Sequence, residues 1–239
     1  MSKPYLSLIL PLYNEGSTLD QSLKIIYQVL KKLEKSWEVI LIEDQSTDET
    51  LLKIQKLLPN LPNTRLIQHQ KNQGRGKSVS DGIKAAKGIY CGFLDVDLEV
   101  SANYIPLFVK ELEKGADCVI GKRFYEKNFA ALTRVLASVG YKFIVHSLLK
   151  LPIDDTEAGY KFFDTQKILP VLKKIQATGW FWDTEICARA YWAGLKINQI
   201  PVLFIRRTDK KSTVRLIPDT WDYLKKIYQF KTQVPDYAN

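Results

Sequence analysis

The sequence has no run of about 18 apolar residues, the length a helix needs to cross a bilayer. An activity on a membrane lipid would therefore have to be exercised from the side of the membrane. The start of the chain lacks a signal-peptide layout, since Tyr5-Leu6-Ser7-Leu8-Ile9-Leu10 follows almost at once. There is no CxxC pair. The three cysteines, Cys91, Cys118 and Cys187, are far apart and each has apolar neighbours. Neither a zinc site nor a disulfide framework is indicated, and buried reduced thiols in a cytoplasmic protein are expected. Histidine is scarce: His69 and His146 fit no catalytic pattern and are expected as ordinary surface or helix residues. Internal repeats, low-complexity tracts and clear linkers are absent, so residues 1–239 read as one domain. Apolar residues at 46% and charged residues at 26% suit a packed globular core and exclude a disordered chain.

Positive charge is in surplus. Lysine and arginine number 35 against 26 acids, a net charge of +9. That balance suits a phosphorylated ligand, an anionic membrane surface or nucleic acid, and a merely lysine-rich surface has it too. No interleaving of aromatic and basic residues forms a single-strand platform, which argues against nucleic acid as a partner.

The first 120 residues alternate strand and helix patterns. Short apolar runs at Leu6–Leu10, Trp37–Ile42, Arg65–Gln68, Ile89–Leu94 and Cys118–Gly121 read as strands. Leu19, Leu23, Ile26, Leu30 and Leu33 fall at helical spacing, with Ser17 as expected N-cap and Asp20 three residues on. Ser46 or Thr47 is expected to cap a second helix carrying Leu51, Ile54 and Leu58. Asn72-Gln73-Gly74-Arg75-Gly76-Lys77 lacks the spacing of a phosphate loop and reads as a tight helix start. Such alternation implies an α/β fold with a mostly parallel sheet flanked by helices. Ligands of these sheets bind where strands end at their carboxyl edges. Polar clusters fall there: Tyr13–Glu15, Glu43-Asp44 and Asp95–Asp97.

The second half is less regular. A basic amphipathic stretch covers residues 127–150, a second covers about 217–231, and a strand is expected over Ile200–Ile205. Between residues 121 and 150 there are six basic residues (122, 123, 127, 134, 142, 150) against the single acid Glu126. Such a segment can lie in the headgroup region of an anionic leaflet, or pack its apolar face on the core.

Asp95 and Asp97 sit two apart after an apolar run. Two hard oxygen ligands there can hold Mg²⁺ or Mn²⁺ together with a diphosphate. A lone Asp-x-Asp is common by chance, and its weight comes from the clusters around it. Pro11-Leu12-Tyr13-Asn14-Glu15, Glu43-Asp44-Gln45-Ser46-Thr47-Asp48, Asn72–Lys77 and Asp95-Val96-Asp97, in that order, resemble the GT-A fold glycosyltransferases of family 2. The resemblance runs over about residues 4–215. Its nearest branch is that of the dolichyl- and polyprenyl-phosphate sugar synthases, such as dolichyl-phosphate mannose synthase.

The resemblance implies a GT-A, Rossmann-like fold with a C-terminal amphipathic helical elaboration. Residues 1–120 would bind a nucleotide-sugar of the GDP-mannose or UDP-glucose type. Residues 121–239 would face a polyprenyl-phosphate acceptor, peripherally at the cytoplasmic membrane face. It further implies transfer with inversion at the anomeric carbon. Pro11, Tyr13, Glu15, Asp44 and Lys77 would line the nucleotide, with Asp95 and Asp97 at metal and diphosphate. Glu99 stands where the branch often has a metal-facing glutamine. Gly121-Lys122-Arg123-Phe124 resembles the branch's Gly-Ser-Arg-Tyr turn, which would make Arg123 a phosphate ligand. Arg134 and Ser138 would reach the acceptor phosphate, as would Arg207 and Lys211 in a loop that lacks the branch's glycine and final lysine. Asp155–Lys161 resembles Asp-x-x-Ser-Gly-Phe-Arg, and Trp182–Glu185 resembles Phe-Asp-x-Glu. Glu185 would either orient a sugar hydroxyl or brace the fold. Asp97, Arg123 and Arg207 are the expected catalytic set, and a soluble saccharide acceptor is the alternative within the family.

Overall fold

Strand β1 (Leu6–Leu12) alternates between two cores: Leu6, Leu8, Leu10 and Leu12 enter one, Ile9 the other. A strand buried on both faces needs helices on both sides of its sheet. The computed structural model describes residues 3–125, 148–207 and 216–234. In chain order it has β1, α1 (Leu19–Lys31), β2 (Trp37–Glu43), α2 (Thr50–Leu57), β3 (Thr64–Gln68), α3 (Arg75–Ala85) and β4 (Tyr90–Leu94). Then come α4 (Ile105–Glu113), β5 (Cys118–Tyr125), β6 (Tyr160–Asp164), α5 (Thr165–Leu172), α6 (Trp182–Trp192), β7 (Ile197–Phe204) and α7 (Leu216–Gln233).

The strands form one seven-stranded sheet in the order β3-β2-β1-β4-β6-β5-β7. β3, β2, β1 and β4 run parallel, as do β5 and β7. β6 is antiparallel to both β4 and β5. This reversal matters for the site. The register Leu94↔Tyr160 puts the segment before β6 at the edge where β4 ends, so residues 155–159 arrive beside Asp95.

One core lies between the sheet and helices α1 and α4, with Leu19, Leu23, Ile26, Phe108 and Leu112 fully or nearly fully buried. The other holds Val79 and Ile83 of α3, Ile168 of α5, and Trp182 and Ile186 of α6. Burying such a side chain contributes about 1.5–3 kcal/mol, so these two layers supply most of the drive to fold. A smaller cluster joins Phe181 and Ala188 to Ile227 and Phe230 of α7. The three cysteines are buried and unpaired, and burial pushes the Cys91 and Cys187 thiols up to about 12.

Several boundary expectations need correction. Neither Ser17 nor Ser46 nor Thr47 caps a helix. α1 starts after Thr18 and α2 after Glu49, in neither case with a side-chain cap. Ser46 Oγ instead accepts from Asn14 N, and Thr47 N donates to Asn14 Oδ1, so loop-to-loop bonds displaced local capping. β7 starts at Ile197 rather than Ile200. β6, whose sequence drew notice only as part of a motif, is a central strand. Most of the basic stretch 127–150, including Arg134 and Ser138, lies outside the described residues, as does Lys211.

α5 has a side-chain cap: Asp164 accepts from Gln166 N at 2.9 Å and Lys167 N at 3.1 Å. Asp164→Ala is expected to cost about 1 kcal/mol. Urea unfolding would register this as a lower midpoint at unchanged slope; an unchanged midpoint would contradict the role of the cap.

Candidate active site

The carboxyl ends of β1, β2 and β4 deliver their polar residues to one edge, and hydrogen bonds between the loops fix them there. Asn14 adopts a positive φ of 56° and its side chain accepts from Thr47 N. Glu15 N donates to Thr50 Oγ1 and Gly16 N to Asp48 Oδ2. The loop after β1 is thus tied to the loop after β2. Tyr13, just past β1, remains 46% exposed, which leaves an aromatic face at the rim of the site. Pro11 lies within β1, opposite Ile42.

Asp44 is expected against the nucleotide, and its carboxylate is already heavily engaged. Oδ1 accepts from Gln73 N and Oδ2 from Gly74 N, each at 2.8 Å. His69 Nδ1 lies 2.6 Å from Oδ1, and its Nε2 lies 3.2 Å from Asp81. The expectation that His69 is a surface or helix residue is therefore corrected. It is 6% exposed, wedged between two carboxylates. Glu43 plays a similar local part, accepting from Gln45 N and Ser46 N. Lys77, on the first turn of α3, pairs with Asp81.

Gly74 opens α3 with φ of 92°, and a Cβ there would sit 2.8 Å from Thr178 O. Glycine lets the helix start approach the 176–180 loop closely. Lys77 N donates to that same Thr178 O. Glu185 explains why the loop is in place: its carboxylate accepts from Gln176 N and Ala177 N and pairs with Arg189 at 2.7 Å. Of the two roles left open for Glu185, this geometry is that of a brace.

Asp95 and Asp97 follow β4 directly. Asp95 N donates to Gly159 O, and Asp95 Oδ1 accepts from Arg75 Nε at 2.8 Å. Asp97 is crowded. Burial, then the charges of Asp95, Glu99 and Glu15, raise its carboxyl to about 7, against an ordinary 3.8. Negative charge collected this way is what a cation would relieve. Asp95, Asp97 and Glu99, the expected metal residues, follow one another just past the end of β4. Among the described residues no three acidic, histidine or cysteine side chains converge on one point. Arg75 takes Asp95, and Glu99 Oε1 accepts from Arg207 N at 3.1 Å. The residues present fit a cation that arrives with a diphosphate and takes one or two carboxylates from the protein. They do not form a self-sufficient protein cage.

Arg123 and Asp155, which belong to two separate motifs of the resemblance, are one pair. Arg123 Nε and Nη2 donate to the two Asp155 oxygens at 2.8 and 2.9 Å. Burial alone would raise the Asp155 carboxyl, but the Arg123 charge and its hydrogen bonds outweigh that and hold it below the ordinary range. Arg207 lies past β7 at the same edge, tied through its main chain to Glu99.

Arg75 was missed as a site residue. It bridges Asp95 and Asp183, with Nη1 donating to Asp183 Oδ2 at 2.5 Å. Its sequence context, an arginine between two glycines, marks a tight turn and nothing about two distant carboxylates.

Residues 7–168 match the profile of glycosyl transferase family 2. The chain belongs to that family. Curated relatives include the glycosyltransferase AglD of Haloferax volcanii, 27% identical over 86% of this chain and 34% of that protein. The dolichyl-phosphate beta-glucosyltransferase of Dictyostelium discoideum is 28% identical over 83% of this chain and 65% of that protein. Its counterpart from Saccharomyces cerevisiae is 27% identical over 83% and 66%. The chain thus spans from about a third to about two thirds of the length of these relatives. Among solved structures, glucosyl-3-phosphoglycerate synthase from Mycobacterium tuberculosis, in complex with Mn²⁺, uridine diphosphate and glucosyl-3-phosphoglycerate, superposes with a TM-score of 0.68. That match is 16% identical and covers 94% of this chain and 77% of that one. It establishes a GT-A-like fold for the family-2 domain.

Two outcomes test this electrostatic picture. Asp97→Asn removes a crowded charge and is expected to raise the melting temperature of the metal-free protein at pH 8, by about 2–4 °C per kcal/mol relieved. A lower value would contradict the crowding. For Asp155 the sign is opposite. A carboxyl with a depressed folded-state pKa stabilises fully above its unfolded value and loses that contribution as pH falls through the folded one. The stability gap between wild type and Asp155→Asn is expected to be constant above about pH 5 and to narrow below about pH 4. A gap that persists unchanged into acid would contradict the pairing with Arg123.

Proposed function

We propose that this family-2 domain transfers a hexose, with inversion, from a nucleoside-diphosphate sugar to a polyprenyl phosphate of the dolichyl type, using Mg²⁺ or Mn²⁺. The observation that carries the reading is the crowding of carboxylates around Asp97, at a strand end inside the family-2 match. The relatives named as dolichyl-phosphate beta-glucosyltransferases favour glucose as the sugar and a polyprenyl phosphate as the acceptor.

In this reading the exposed face of Tyr13 receives the nucleoside base, with Pro11 and Glu15 beside it. Asp44 acts one step back, since its oxygens hold Gln73 N and Gly74 N and so shape the wall of the pocket. Asp95 and Asp97 would hold the cation, which when bound neutralises charge on the leaving nucleoside diphosphate. An acceptor phosphate is anionic at neutral pH, so no strong general base is required of the protein. The remaining work is positioning the two substrates and offsetting charge. Arg123 and Arg207 lie at the edge where the acceptor phosphate would arrive. Asp155 keeps Arg123 oriented while offsetting part of its charge. Arg134, Ser138 and Lys211 belong to the acceptor side by resemblance. No described helix is long and apolar enough to cross a membrane, and the basic stretch 127–150 would bring the site to an anionic membrane surface.

The test is transfer of labelled sugar from UDP-glucose and GDP-mannose to short-chain polyprenyl phosphate, read in the organic phase. Label is expected there with wild type and Mn²⁺ or Mg²⁺. It is expected to fall at least about a hundredfold with Asp97→Ala or with EDTA, the scale of losing a main electrostatic stabiliser. Label that appears only in water-soluble products would overturn the lipid acceptor, and full activity in Asp97→Ala would overturn the cation site.

A further inference from the structure

Arg75 belongs to the Asn72–Lys77 motif, which assigned it no role, yet two carboxylates engage it. Its Nε and Nη2 both lie 2.8 Å from Asp95 Oδ1. Its Nη1 donates to Asp183 Oδ2 on α6 at 2.5 Å. Asp183 is 1% exposed, and its other oxygen accepts from Lys161 Nζ at 2.5 Å. Lys161 is itself fully buried and also donates to Ala158 O. The result is a line of alternating charge, Lys161–Asp183–Arg75–Asp95, running from the sheet interior to the end of β4. Each inner member has an opposite charge on both sides, and the line is neutral overall. Buried charges persist only in such arrangements.

Two further contacts fix the outer end. Asp95 N donates to Gly159 O, and a Cβ on Gly159 would lie 1.8 Å from Asp95 Oδ2. The Asp95 carboxylate is therefore wedged between the main chain of residue 159 and the Arg75 guanidinium. The guanidinium lies 5.3 Å from the Phe93 ring centroid and 5.4 Å from that of Trp180, within cation–π range of both. Its side chain is only 13% exposed; Nε and Nη1 donate to the two carboxylates, and the buried Nη2 lies near Asp95 Oδ1 without a hydrogen bond among the described residues, so the guanidinium is committed chiefly to the two aspartates.

We propose that Arg75 is a positioning residue, which holds Asp95 in the orientation needed to share a divalent cation with a nucleoside diphosphate, and that Asp183 and Lys161 anchor it. The inference rests on the reading of Asp95 and Asp97 as the cation end of the donor site. It assigns the Asp183 of the Trp182–Glu185 motif a purpose at a distance: Asp183 fixes the arginine that fixes the aspartate. Arginine is required because a planar fork reaches two carboxylates at once, and a lysine ammonium at the same position reaches one.

The test measures binding rather than turnover. Affinity for UDP and GDP is titrated calorimetrically in EDTA and in Mn²⁺, for wild type, Arg75→Lys, Arg75→Met and Gly159→Ala. The gain in affinity that Mn²⁺ confers is expected to shrink about 10- to 100-fold in Arg75→Met, the usual scale for losing a partner of a metal ligand. A smaller loss is expected in Arg75→Lys, while the affinity in EDTA stays at the wild-type value. Gly159→Ala, whose Cβ would press on both Asp95 Oδ2 and Arg75 Nη2 without removing charge, is expected to lose the same Mn²⁺-dependent gain. If Arg75→Met does not fold, Arg75→Lys and Gly159→Ala carry the comparison. An undiminished Mn²⁺ gain in the folded variants would overturn the proposal. So would equal losses with and without Mn²⁺, because Arg75 would then be touching the nucleotide itself. A wild-type protein that binds neither nucleotide with the cation would instead overturn the glycosyltransferase reading on which the proposal stands.

Discussion

The guanidinium of Arg75 joins two carboxylates from distant parts of the chain, Asp95 after β4 and Asp183 on α6. That contact organises much of the candidate site, because four elements meet through it. α3 supplies the arginine, β4 leads into the first aspartate, α6 supplies the second, and β6 supplies Lys161 beneath them. Removing Asp183 leaves the fully buried Lys161 ammonium without its carboxylate partner, a kind of loss that costs about 3–5 kcal/mol. The charge line therefore constrains the positions of the sheet edge and of two helices as well as the orientation of one aspartate.

Around it the edge is divided by charge. Carboxylates crowd at Asp97, where Asp95, Glu99 and Glu15 add to its burial. Arg123 lies at the end of β5, paired with Asp155, and Arg207 lies past β7. A cation-bridged diphosphate suits the first region and a free phosphate the second. The antiparallel course of β6 makes the division compact, because it returns residues 155–159 to the edge where β4 ends. Asp155 thereby reaches Arg123, and Gly159 reaches Asp95, from one short segment.

The first half of the sheet was legible because its pattern is local. Leu6–Leu10, Trp37–Ile42 and Ile89–Leu94 are apolar runs bounded by polar clusters, and each is a buried strand of the structure. The strand-end positions of Glu15, Asp44, Asp95 and Asp97 followed from those runs. What was not legible depends on pairings across the chain. His69 reads locally as a polar residue at a strand end, and its burial comes from Asp44 and Asp81, which are 25 and 12 residues away. Arg75 needs Asp183, 108 residues on, to become a site residue. The spacing of Asp95, Asp97 and Glu99 is likewise silent about their partners. Spacing says which carboxylates are near, but not that Arg75 bonds one oxygen of Asp95 and the Arg207 main chain one oxygen of Glu99.

The most direct measurement is a crystal structure of the protein with the nucleoside diphosphate it binds and Mn²⁺. The account predicts a cation between Asp95, Asp97 and the diphosphate oxygens, with Arg75 still bonded to both Asp95 and Asp183. A diphosphate seated away from the Asp95–Asp97 end, or an Arg75 that has left Asp183 to grip the phosphates, would contradict it.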